Sequence, residues 1–111
     1  MAAKREVAHP QTGELMICDF CSGADPAWRY PAESFFDLFG GHSVQDWLAC
    51  ENCHARIVAG DRDGLTARAL KSPGVRGSMG ILGRALTIQY CRDLHNRFWL
   101  ARRGYPRRVV A

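Results

Sequence analysis

Four of the five cysteines in this 111-residue chain come in two pairs, Cys18-Asp19-Phe20-Cys21 and Cys50-Glu51-Asn52-Cys53, with 28 residues between the inner cysteines. A two-residue gap lets the backbone turn tightly enough to aim both sulfurs at one point. Two such pairs form the donor set of a tetrahedral four-thiolate zinc site. Four thiolates leave no open coordination position, so the expected role of Cys18, Cys21, Cys50 and Cys53 is to hold a structural Zn2+. The same sulfurs also hold iron. Two disulfides are the competing reading. They require an oxidising compartment, and the opening residues 1–7 run into polar sequence rather than an apolar signal segment.

Other reactive side chains give less. Cys91 and His95 stand four apart on a helical pattern, and the expected arrangement is a small buried thiol beside a surface or capping histidine. His54 reads as a helix-surface residue and His9 as an incidental one. Asp61-Arg62-Asp63-Gly64 lacks the twelve-residue donor pattern of a calcium loop and reads as a helix cap and turn. Trp47 and Leu48 are placed to exclude water from the sulfurs. No catalytic constellation emerges, and metal-assisted hydrolysis would need a coordination position that four cysteines close. The expectation is a binding module, not an enzyme.

Charge is the second signal. Residues 1–60 carry four basic against eight acidic side chains, and residues 61–111 carry eleven against three, so the halves stand at −4 and +8. The basic set from residue 71 on (Lys71, Arg76, Arg84, Arg92, Arg97, Arg102, Arg103, Arg107 and Arg108) suggests phosphate contact with DNA or RNA. A second reading makes the chain a regulatory adapter or inhibitor. In that reading it docks on a bacterial or host protein through Tyr90, Leu94, Phe98 and Trp99, or forms a homodimer through the same helix. A third has the arginines simply pairing with the acidic half, around Glu33, Asp37 and Asp46.

The elements that must position these residues follow from pattern. Leu15-Met16-Ile17 suits a strand entering the first cysteine pair, after a turn over residues 9–14. Trp28-Arg29-Tyr30 suits a strand with both rings on one face, and residues 34–39 fit either an irregular strand or a helical turn. From Cys50 the spacing turns helical with Ile57 and Val58 inward, and Asp61 or Asp63 caps a following helix through Leu65, Ala69 and Leu70. Residues 72–78, with Pro73, Gly74 and Gly77, read as a linker. A long amphipathic helix is expected over about Met79 to Arg103, its apolar stripe Leu82, Leu86, Tyr90, Leu94 and Phe98.

The fold class is therefore small α+β: a treble-clef or zinc-ribbon-like module over residues 1–71, a linker over 72–78, and a basic helix and tail over 79–111. Cys18-Asp19-Phe20-Cys21-Ser22, Trp28-Arg29-Tyr30-Pro31, Trp47-Leu48-Ala49-Cys50-Glu51-Asn52-Cys53 and Gly60-Asp61-Arg62-Asp63-Gly64-Leu65 resemble small four-cysteine proteins of actinobacteria and their phages. The resemblance spans about residues 14–71 and brings no activity with it. It implies a cytoplasmic setting, in keeping with reduced thiols and with the lack of any apolar run long enough to span a bilayer.

Overall fold

The computed structural model describes residues 7–8, 15–37, 40–43 and 46–109. The turn expected over residues 9–14, and His9 within it, lies outside these residues. Two knuckles and a small antiparallel sheet come first, then four helices, and the chain returns to the sheet at its basic end. A hairpin pairs β1 (Val7–Ala8) with β2 (Leu15–Met16), which leads into the first cysteine pair as expected. Strand β3 (Trp28–Tyr30) pairs antiparallel with β6 (Trp47–Ala49), Arg29 opposite Leu48. Between them β4 (Phe35–Phe36) and β5 (His42–Ser43) form a second hairpin, so residues 35–36 are strand rather than helical turn.

Helices α1 (Glu51–Ala59) and α2 (Arg62–Leu70) follow directly from β6. Cys50 caps α1, its sulfur accepting from the Cys53 amide, and Gly60 closes it at φ 69°, a left-handed conformation that glycine takes without a Cβ penalty. Asp61 then caps α2, its carboxylate accepting from the Gly64 amide at 2.9 Å. Ile57 is buried, but its neighbour Val58 is 71 % exposed, so the inward face of α1 is narrower than the sequence pattern suggests.

The largest departure lies after residue 71. Residues 72–78, expected as a linker, mostly belong to α3 (Pro73–Leu82). The Ser72 oxygens receive the amides of Val75 and Arg76 at 3.4 and 2.9 Å, and Pro73 stands at the first helical position, where its missing N–H costs nothing. The single helix expected from Met79 to Arg103 is two: Gly83, at φ 82° and ψ 156°, separates α3 from α4 (Arg84–Ala101). The buried face of α4 is also one residue round from the expected stripe. Thr87, Cys91, His95, Phe98 and Ala101 face inward, while Leu86 is 56 % exposed.

One core unites the cysteine knuckles with α4. Phe98 is fully buried, its ring 5.0 Å from Phe20, 5.2 Å from Trp47 and 5.6 Å from Tyr30 between ring centroids. Cys18, Cys53, Ile57 and Leu65 belong to the same cluster. The hydrophobic contacts therefore do not divide where the linker was expected. Beyond α4 the chain turns back, and β7 (Arg107–Arg108) adds to the free edge of β3, giving the sheet order β6-β3-β7. Val109 closes a smaller apolar cluster with Leu48 and Met16 on the other face of that sheet. No helix among the described residues is long and apolar enough to cross a membrane.

Candidate metal centre

The first knuckle is shaped by its own backbone. The Cys18 amide donates to the Gly23 carbonyl at 2.8 Å, and the Ser22 amide donates back to the Cys18 carbonyl at 2.9 Å. Ser22 turns the corner at φ 63°. The second knuckle is the end of β6 running into the first turn of α1. Asp19 ties the two together: its amide donates to the Leu48 carbonyl at 2.8 Å and its carboxylate accepts from the Leu48 amide at 2.6 Å.

This framework brings Cys18, Cys21, Cys50 and Cys53 into one cluster, their sulfurs all within 4.8 Å of one another. The Cys21 and Cys50 sulfurs are 3.7 Å apart, far beyond a disulfide bond. A tetrahedron of sulfurs about 2.3 Å from a central ion has edges of about 3.8 Å, so the cluster fits thiolate coordination of a metal ion. All five cysteines are free thiols, and Cys18 and Cys53 are buried. Hydrogen bonds from Cys18 and Cys53 hold the Cys50 thiol far below its ordinary value. The bond to Cys50 in turn pushes Cys18 up to about 12, and bonds to Cys18 and Cys50 with burial raise Cys53. Four thiolates held this close repel one another, and a cation bound among them would offset that repulsion.

Arg68 was not anticipated from the sequence. From α2 its Nε lies 3.3 Å from the Cys53 sulfur, and Nη2 lies 3.7 Å from Cys21 and 3.8 Å from Cys50. One guanidinium thus faces three of the four ligands and offsets part of their negative charge. These contacts raise the Arg68 pKa above its already high ordinary value, the Cys53 contact most. The signal in the sequence was positional: Arg68 stands on the same helical face as Leu65 and Ala69, both buried.

The surrounding groups are aromatic. Trp47 is buried among the core rings as expected, whereas Leu48 points to the opposite cluster with Val109. His54 is half-buried instead of a free surface residue: its ring stacks on Trp28 at 4.0 Å, and Nδ1 lies 2.6 Å from the Tyr30 hydroxyl. Desolvation there lowers its pKa. His95, expected at the surface, is 3 % exposed, and burial lowers its pKa to about 4, so it is neutral at physiological pH. Cys91 is buried as expected, and desolvation raises its thiol pKa.

The basic residues do not form one continuous stripe. Arg103 pairs with Glu33 at 2.8 Å, Arg97 with Asp93 at 2.6 Å, Arg92 with Asp63 at 3.5 Å, and Arg108 with Glu51. Arg97 also donates to the Phe36 carbonyl at 2.8 Å, while Arg108 covers the Trp28 ring. Arg102 lies 5.7 Å from the Trp99 centroid. Lys71, Arg76, Arg84 and Arg107 are exposed and make no ion pair among the described residues. Of the side chains expected to meet a protein partner, Phe98 is in the core. Leu94 and Trp99 are partly buried against that core, and the Tyr90 hydroxyl donates to Asp37 at 2.9 Å.

No protein-family model, no curated protein and no solved structure matches the chain.

Proposed function

We propose that the protein is a zinc-organised, non-catalytic module of treble-clef type that contacts the phosphate backbone of nucleic acid. Thiolate-only ligation favours zinc over harder cations. A β3–β6 pair followed by a helix capped by the second cysteine pair supports the treble-clef reading. Bound there, zinc supplies folding free energy and no open site for chemistry.

The observation that carries the nucleic-acid reading is the register of β7 on β3. Arg107 stands directly opposite Arg29, so both side chains leave the same face of the sheet. Both are exposed, and neither has an acidic partner among the described residues. Like charges placed opposite on neighbouring strands destabilise a sheet. An anion shared by two guanidiniums removes that cost, and a phosphodiester is the anion arginine pairs match well. Protein docking through α4 has less to work with. Phe98 is buried and Trp99 is covered by arginines, leaving Leu86 and Leu100, 56 % and 83 % exposed, at opposite ends of the helix.

Binding of the metal-loaded protein to random single- and double-stranded DNA and RNA, titrated from low to moderate salt, tests this. The expected result is affinity that falls steeply with salt, with a shallower slope for an Arg29→Gln, Arg107→Gln double variant. No binding at low salt, or an unchanged slope in the variant, would sink the reading.

A further inference from the structure

An open cleft of about 430 Å³ lies between side chains of α2 and α4, and none of the four clustered cysteines lines it. Arg62, Asp63 and Thr66 line it from α2, and Arg92, His95 and Asn96 line it from α4. The 62/66 and 92/96 spacings put each pair on one helix face. Arg62 is oriented before any ligand arrives. Its guanidinium lies 4.6 Å over the Trp99 ring, and Nη1 donates to the Asn96 side-chain oxygen. A guanidinium has five N–H donors, so most of the fork stays available. Arg92 completes the pair with its side chain 60 % exposed, its one ion pair among the described residues a 3.5 Å contact to Asp63.

Two of the lining side chains are deeply buried: Thr66 is 4 % and His95 3 % exposed. The His95 Nδ1 is buried and finds no hydrogen-bond partner among the described residues. By contrast, the other inward-facing histidine, His54, has its Nδ1 paired with Tyr30. Buried ring nitrogens are ordinarily satisfied, so an unpaired one on a residue that lines a polar cleft points to a ligand group as its partner.

We propose that this cleft binds a small phosphate monoester of nucleotide or sugar-phosphate size, its phosphate between the Arg62 and Arg92 guanidiniums and a polar group of its remainder bonded to His95. The two guanidiniums exclude a metal cation, since a single carboxylate, Asp63, faces them. A carboxylate ligand would satisfy one fork, whereas the three outer oxygens of a monoester engage both. The volume exceeds what a bare phosphate fills and falls in the range of small-molecule sites. Asp63, mostly exposed at 91 %, is free to accept from a ligand hydroxyl once Arg92 turns to the phosphate. The proposal stands independently of the Arg29–Arg107 contact with nucleic acid.

The test uses the full metal-loaded chain at constant ionic strength set with chloride. Adenosine monophosphate, adenosine, inorganic phosphate and a dinucleotide with and without a 5′-phosphate are titrated by calorimetry, while the His95 ring nitrogens are followed by NMR. Saturable binding of adenosine monophosphate is expected, with movement of the His95 resonances and affinity at least about tenfold above that of adenosine or inorganic phosphate. Arg62→Gln and Arg92→Gln should each weaken it about tenfold. If the 5′-phosphorylated dinucleotide binds tighter than the mononucleotide, the phosphate belongs to a nucleic-acid end; the reverse order assigns it to a free metabolite, and either order supports the site. Equal affinity for adenosine and its monophosphate, a stationary His95 signal with every probe, or full binding by folded Arg92→Gln protein would overturn it.

Discussion

Arg68 shows how much one side chain can do beside a cluster of thiolates. Four ionised cysteines around a divalent ion leave two negative charges, and Arg68 faces three of those sulfurs from within 3.8 Å. It is half-buried, so water screens the contact only in part. Removing such an outer partner of a metal site weakens metal binding by roughly 10–100-fold in other proteins. Arg68→Met keeps the aliphatic stem and removes the charge. It should therefore lose metal faster and bind it about tenfold or more weakly in competition with a chromophoric chelator. An affinity equal to that of the parent would show that the guanidinium is incidental to the metal.

At the scale of elements, the junction between α3 and α4 depends on one residue. Gly83 sits at φ 82° and ψ 156°, a region almost closed to residues with a Cβ, yet a Cβ built there would meet no other atom within 4 Å. The cost of Gly83→Ala is thus one of backbone conformation, of order 1–3 kcal/mol. A lower urea midpoint with an unchanged denaturant slope is the expected outcome. A raised midpoint would mean that α3 and α4 fuse into the continuous helix that the sequence pattern suggests. The expectation of one helix failed because alternation of apolar and polar residues continues across Gly83, while the cue for a break was a single glycine whose φ no sequence prints. Ser72-Pro73 fits a cap and first helical position, a signal hidden by the linker-like composition of Pro73, Gly74 and Gly77. By contrast, the cysteine pairs, a cap at Asp61 or Asp63 and the strand at 28–30 were readable, because each rests on local chemistry, whereas the strand at 47–49 was not foreseen. Nor was the rotation of α4. Thr87 and His95 face inward for tertiary reasons, and neither residue type announces burial.

For the whole molecule, the consequence of a shared core is that a metal bound by the four cysteines and α4 would stabilise each other. Cys18 and Cys53 lie in the same cluster as Tyr30, Leu65 and Phe98, and neither buried cluster among the described residues belongs to the helices alone. A chain of 111 residues buries only a modest core, which makes metal binding a large share of its folding free energy. Stripping the metal with a strong chelator should therefore unfold the protein throughout, with loss of most helical circular dichroism rather than a local change near the cysteines. Persistence of the α4 signal in metal-free protein would show that the helices fold by themselves. The pairing of arginines with acidic groups was foreseen only as one of three readings. With the acidic half as partner it accounts for Arg103 on Glu33 and Arg108 on Glu51, whereas Arg92 and Arg97 pair with Asp63 and Asp93 of their own half, and Arg107 makes no ion pair among the described residues.

The addition of β7 to β3 has a bearing on how the chain is made. Trp28 leaves the ribosome about eighty residues before the Arg108 that lies opposite it, and loop closure over such a span comes late in folding. Phe98 is delayed almost as long. During translation the four thiols therefore emerge into solvent before the side chains that will cover them. A nascent chain has to acquire its metal, or be protected from oxidation, in that interval. Metal captured early by Cys18, Cys21, Cys50 and Cys53 would hold the first half of the protein as a template on which the rest condenses.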